Sequence, residues 1–143
     1  MASDHLPVAS LIPHQGTMCL LERVLDWDTS SIRLATTTHQ STNNPLRSGN
    51  RLRAIHLCEY GAQAMAVHGA LQAQADGGAA APGMLVSLRS VNFACDYVDH
   101  LTGSLMIEAQ CLQATAASLQ YTFRVSHAGE LLAEGRAAVV LKG

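Results

Sequence analysis

Residues 53–76 read RAIHLCEYGAQAMAVHGALQAQAD, and this stretch decides the fold. It holds no proline and is rich in alanine, the best helix former. The spacing predicts one long helix over about 54–76. Ala62, Ala66 and Ala70 follow one ridge, while Leu57, Ala64, Val67 and Leu71 lie elsewhere on the cylinder. A helix apolar on most sides is expected to be buried on most sides. Its small residues let a sheet approach closely. Gly77-Gly78 and then Pro82-Gly83 stop it.

Outward from the helix the pattern changes period. Leu101, Gly103, Leu105, Ile107, Ala109 and Cys111 alternate with polar or exposed positions, as do Leu119, Tyr121, Phe123 and Val125. Period two marks strands with one buried face. His127-Ala128-Gly129 reads as a tight turn, with Leu131 to Leu141 as the return strand of a hairpin. Met84 to Cys95 is another strand, and its phase changes between Leu88 and Val91, which predicts a bulge near Ser90. Before the helix, Met18 to Trp27 and Ser31 to His39 read as two strands joined by Asp28-Thr29-Ser30. The class is α+β, in which a six-stranded antiparallel sheet wraps around one long central helix. The open sheet edges are expected to be managed by pairing across a dimer.

The chain has 143 residues, which predicts a single domain over 1–143. Hydrophobic residues make up 48% and charged residues 14%, a mix that excludes a disordered chain. Nine basic against eleven acidic residues give no electrostatic case for nucleic acid. Eight of the nine are arginines, and Lys142 is the single lysine. Cys19, Cys58, Cys95 and Cys111 show no C-x-x-C spacing, so neither a zinc site nor a redox dithiol is expected. With no signal-peptide pattern and no membrane span, the expected setting is the cytoplasm.

Two motifs carry a family likeness. Leu11-Ile12-Pro13-His14-Gln15-Gly16-Thr17-Met18-Cys19-Leu20-Leu21-Glu22-Arg23-Val24-Leu25-Asp26 is similar to the opening "L-[IL]-P-H-R-x-P-[FM]-L-L-[IV]-D-R-V" of the beta-hydroxyacyl-ACP dehydratases. Glu59-Tyr60-Gly61-Ala62-Gln63 resembles their "E-A-[ML]-A-Q". With the strand order, the chain resembles the hotdog fold over nearly its whole length. It looks most similar to dehydratase-like proteins of aryl polyene and related polyketide-type biosynthesis. One element departs from the pattern. The dehydratase loop "G-H-F-P-x-x-P-x-x-P-G", whose His is the base, corresponds here to residues 43–54, which contain no His. Pro45, or Asn44 with a shift of one, stands at the His position, and Arg53-Ala54 replaces the Pro-Gly at the helix start.

The resemblance implies elimination of water from a 3-hydroxyacyl thioester, without metal or cofactor. That reaction needs a base for the C2 proton, an acid for the leaving hydroxyl, and donors for the thioester oxygen. The resemblance assigns the acid to Glu59, and apolar surroundings that disfavour the ionised carboxyl suit that role. Three residues ahead, His56 is the first candidate for the base, because i and i+3 share a helix face. His39 is the second, and a catalytically silent chain is the remaining option. His14 is assigned to the N-terminal turn. Gln63, four residues after Glu59, can bond that carboxyl, the substrate, or a helix across a dimer. Ala54 lies at the helix start, where backbone N–H groups would face the thioester.

Arg47, Arg51 and Arg53 cluster before the helix, as expected for an entrance that binds phosphopantetheine phosphate or an acidic acyl carrier protein. The expected partners are therefore acyl carrier protein and a second hotdog chain. That chain is a second copy in a homodimer or higher oligomer, or an active dehydratase in a heterodimer. Two other functions remain open on the sequence: an acyl-binding subunit without a full catalytic set, and a hotdog acyl thioesterase.

Overall fold

The computed structural model describes Val8, Leu11, residues 16–78 and residues 83–141. Ile12 to Gln15 of the opening motif, His14 among them, and Pro82 lie outside the described residues. The elements run β1 (Arg23–Trp27), β2 (Ser31–Thr36), α1 (Leu57–Ala75), β3 (Gly83–Phe93), β4 (Leu105–Ala114), β5 (Ser118–His127) and β6 (Glu130–Leu141). A 3₁₀ turn, Ala54–His56, leads directly into α1. The strands form one six-stranded sheet in the order β1-β2-β4-β5-β6-β3, and every neighbouring pair is antiparallel.

Helix α1 packs on one face of this sheet. Leu57, Tyr60, Ala64, Met65, Val67 and Leu71 are buried against Leu105, Ile107, Tyr121, Phe123 and Val125. The ridge of Ala62, Ala66 and Ala70 is only half-buried, with Ala66 packed at the margin of this core. Phe123 sits where helix and sheet come closest. A Cβ at Gly61 would lie 2.6 Å from its ring, and one at Gly135 would lie 2.9 Å from it. Glycine is required at both positions for the ring to fit. At its far end α1 stops through a glycine cap: Gly77 takes φ 81, its N–H bonds Gln74 O at 3.0 Å, and Gly78 N–H bonds Ala73 O at 2.8 Å. No helix among the described residues is long and apolar enough to cross a membrane.

Three strand boundaries differ most from the sequence expectation. Strand β1 begins at Arg23 rather than Met18, because Gly16–Met18 forms a 3₁₀ turn. Strand β2 ends at Thr36, where the hydroxyls of Thr36 and Thr38 both donate to Leu20 O at 2.6 Å and Thr38–Gln40 turns. Such side-chain bonds compete with a continuing ladder. Strand β4 begins at Leu105 rather than Leu101, after Gly103 with φ 90. The bulge expected near Ser90 is present: Ser90 takes φ 55, and the β3–β6 register shifts between Arg89 and Asn92.

His68, midway along α1, is a core residue. Its Nε2–H donates to Asp28 O at 2.8 Å, so its Nδ1 accepts the Tyr121 hydroxyl at 2.6 Å. Burial holds the His68 imidazole below its usual pKa, so it stays neutral.

Candidate active site at the start of the helix

Glu59 stands in the first turn of α1. It is half-buried, and Gln63 one turn later reaches it, Nε2 to Oε1 at 3.4 Å. Gln63 itself is fully buried. Its Nε2 also donates to Met18 O at 2.7 Å, and its Oε1 accepts Leu20 N–H at 2.9 Å. One amide therefore ties the chain entering β1 to the helix and to Glu59. A contact across a dimer is not its use, because both ends of the amide are engaged within the chain. Gln63→Leu would orphan the buried Leu20 N–H, at about 1–3 kcal/mol, and would also take the donor from the part-buried Met18 C=O. A drop of at least about 2 kcal/mol in denaturant unfolding is the expected result, and an unchanged midpoint would mean that water replaces the amide.

The loop before the helix is locked by side chains. Asn44, beside Pro45 in the stretch that corresponds to the dehydratase His loop, is buried. Its Nδ2 donates to Thr38 O at 3.0 Å and to Tyr60 Oη at 2.9 Å, and its Oδ1 accepts Leu46 N–H at 2.9 Å. The second candidate base is sealed as well. His39 is fully buried, and its Nε2–H donates to Leu101 O at 2.8 Å. Its bare nitrogen, Nδ1, faces the protein interior with no partner among the described residues. Burial pushes the His39 pKa down, partly offset by the bond to Leu101. His56, by contrast, is half-buried in the 3₁₀ turn, one turn ahead of Glu59.

The three arginines do not act as one cluster. Arg47 folds back, donating to Asn50 O at 3.0 Å and His39 O at 3.2 Å, and so braces the loop. Arg51 pairs with Asp99 at 3.0 Å and lies 4.1 Å from the centre of the Tyr97 ring. Both make bonds within the chain, whereas the sequence expectation grouped all three at one entrance. Arg53 remains: it is exposed, 5.3 Å from the same ring. It also lines an open cleft of about 490 Å³ with Ala54, Ile55, Phe93, Ala94, Cys95 and Asp96. Ala54 borders this cleft, but its N–H is already given to Asp96 O at 2.8 Å, and His56 N–H goes to Arg53 O at 3.1 Å. Neither amide is a free donor. Among the described residues the N–H of Ile55, between them, makes no hydrogen bond. Burial and the neighbouring Asp96 push the Cys95 thiol pKa up.

A family model described as ApeP-like, ApeP dehydratase, matches residues 6–142. The chain belongs to the ApeP-like dehydratase family. This ApeP-like chain is also similar in structure to the dehydratase heterocomplex ApeI:P from Xenorhabdus doucetiae. That likeness has a TM-score of 0.87 at 23% identity and covers 97% of this chain and 93% of that one. Zebra fish thioesterase superfamily member 2 matches at TM-score 0.63 and 15% identity, over 94% and 93% of the two chains. A hypothetical thioesterase with coenzyme A from Streptococcus pneumoniae matches at 0.62 and 11%, over 85% of each. No curated protein sequence matches. These likenesses show the fold, which is the hotdog fold.

In this ApeP-like chain Arg53, Ala54, His56, Glu59 and Gln63 follow one another along the helix start, while Arg47 and Arg51 sit in the loop ahead of it, bonded to Asn50, His39 and Asp99. Sequence reasoning missed Tyr60, whose hydroxyl holds Thr38 and Asn44 at 2.9 Å each, and Asp99, which receives Leu52 N–H at 2.9 Å. A tyrosine inside an apolar helix was the available signal, since a buried phenol needs a partner.

Proposed function

We propose that this chain works in the dehydration of a 3-hydroxyacyl thioester carried on acyl carrier protein, as part of aryl-polyene-type biosynthesis. In this reading Glu59 is the acid. It gives its proton to the C3 hydroxyl, which leaves as water while the C3–O bond breaks. A base takes the C2 proton, and the electron pair forms the C2–C3 double bond. Charge building on the thioester oxygen is met by the Ile55 N–H at the positive end of the helix. Arg53 at the cleft mouth meets the phosphate of the carrier arm. The observation that carries the reading is the hold on Glu59: a fully buried Gln63, itself fixed by Met18 and Leu20, reaches its carboxyl at 3.4 Å. A catalytic group needs such support from its neighbours.

His56 is the base that this chain can offer at the site. His56→Ala is then expected to cost on the order of 10²-fold or more in turnover. Turnover is followed by mass spectrometry of the carrier-bound acyl group. A second reading is favoured by Asn44, whose amide is bound at both ends in the loop that carries the family's histidine and here holds none. Here the base comes from a second hotdog chain, as the ApeI:P heterocomplex of Xenorhabdus doucetiae suggests by its assembly. His56→Ala then turns over normally in the two-chain complex while Glu59→Gln does not. Both readings put the working protein in a cytoplasmic assembly of at least two hotdog chains.

A further inference from the structure

His39 and His127 bond consecutive carbonyls of the segment between β3 and β4, Leu101 O at 2.8 Å and Thr102 O at 2.6 Å. The two imidazoles differ in their surroundings. His127 is half-buried, and its Nε2–H donates in either charge state. His39 is fully buried, and with its Nε2–H given to Leu101 O the neutral ring turns a bare acceptor, Nδ1, inward. The side chain beside it has the opposite lack. Arg47 gives one terminal nitrogen to Asn50 O and the other to His39 O, while its Nε–H is buried and, among the described residues, meets no acceptor. The Arg47 charge also disfavours protonation of the His39 ring, as expected for groups that stand close together. One loop thus carries a buried acceptor and a buried donor, both unmet, on neighbouring side chains. Buried polar groups are seldom left so.

The chemistry of the gap selects its occupant. It must accept from Arg47 Nε–H and donate to His39 Nδ1. An anion has nothing to donate and an ammonium nothing to accept, whereas a hydroxyl does both, and the smallest hydroxylic ligand is water. We propose that His39 and Arg47 hold one water molecule between them, and that this water is a proton-sensitive latch on the loop ahead of the helix.

A proton on Nδ1 turns the acceptor into a donor. The water then loses the acceptor for its own hydrogen, and a second cation stands beside Arg47 in a buried place. The other charged and titratable groups around the ring do not relieve this. Glu22 is already bound to the Thr37 N–H and hydroxyl, and His127 adds no negative charge. On the segment that carries Leu101, Asp99 is bound to Arg51 and Leu52 N–H, and His100 is exposed. The Tyr60 hydroxyl is held by Thr38 and Asn44. Opening of the loop is what returns the charged ring to solvent. Burial holds the His39 pKa below its usual value, partly offset by the bond to Leu101, so the closed loop favours the neutral ring. Its stability is full above the free-histidine value of about 6.5 and is lost as the pH falls below it. One proton gives a loss of up to about tenfold in the closing constant per pH unit. The latch stands or falls independently of the reaction proposed above.

The test is amide hydrogen exchange by NMR on the full chain, from about pH 7 to about pH 5. Corrected for intrinsic rates, protection of Ser41, Asn44 and Leu46, whose amides bond Thr38 O, Ser41 O and Asn44 Oδ1, should fall by up to roughly tenfold per pH unit. Amides of the β4–β5 ladder should not follow. His39→Gln, whose amide still reaches Leu101 O, should abolish the fall, and His127→Gln should keep it. In the wild type at neutral pH, His39 should be the Nε2–H tautomer, with a through-space contact from a bound water to its ring proton between the two nitrogens. Flat protection, a fall shared by β4 and β5, or a fall that survives in His39→Gln or vanishes in His127→Gln overturns the proposal. So does a direct bond from Arg47 Nε–H to Nδ1, or a ring that no water touches. If His39→Gln does not fold, Arg47→Met carries the same test. Without the cation beside the ring the fall should level off at a higher pH, and an unchanged profile overturns the latch.

Discussion

Glu59→Gln should lower the rate of dehydration by on the order of 10²–10⁴-fold while the protein stays folded. The substitution keeps the size of the side chain and an oxygen that can still accept from Gln63 Nε2, so the support from Met18 and Leu20 is undisturbed. What is lost is the proton that the leaving hydroxyl needs. An interaction made only as the C3–O bond breaks should depress kcat and kcat/KM together, with little change in KM. The assay is loss of water from a 3-hydroxyacyl-acyl carrier protein, run with the partner chain where one is required. Full activity in Glu59→Gln would remove the acid assignment whatever the base proves to be.

The largest effect on stability is expected at Phe123. Its ring is 1% exposed and fills the space between Gly61 on the helix and Gly135 on β6. Phe123→Ala removes that ring from a place where neither neighbour has a side chain to move inward. The loss should reach about 3–5 kcal/mol, the range for deleting a buried aromatic, and fall in its upper part because the site collapses poorly. Denaturant unfolding would read it as a lower midpoint at an unchanged slope. A loss below about 2 kcal/mol would mean that α1 settles onto the sheet once the ring is gone.

The elements could be read from the chain because their signals are local. An alanine-rich run without proline gives α1, period-two alternation gives β4 and β5, and the phase change at Ser90 gives the bulge. Strand ends were less legible: β2 stops where Thr36 and Thr38 turn their hydroxyls onto Leu20 O, a residue 16 and 18 positions earlier. The site divides the same way. Glu59 and Gln63 share a helix face, so their contact follows from spacing four apart. That Gln63 also grips Met18 and Leu20, some 45 and 43 residues away, follows from no spacing rule. Arg47, Arg51 and Arg53 look alike as neighbours in sequence. Only the fold brings Asp99, 48 residues on, to Arg51, and turns Arg47 onto the carbonyl of His39. The fate of His39 was equally hidden, since its burial depends on Leu101, 62 residues later.

Because thioesterases share this fold with the dehydratases, the product left on the carrier is the most direct test of the account. A 3-hydroxyacyl-acyl carrier protein is incubated with the chain and its partner hotdog chain, and the intact carrier is weighed by mass spectrometry. The account predicts a carrier that keeps its acyl group and has lost one water, with this change absent for Glu59→Gln. A carrier returned with a free thiol and a released hydroxy acid would contradict it, because the carboxylate at the helix start would then be activating water for hydrolysis.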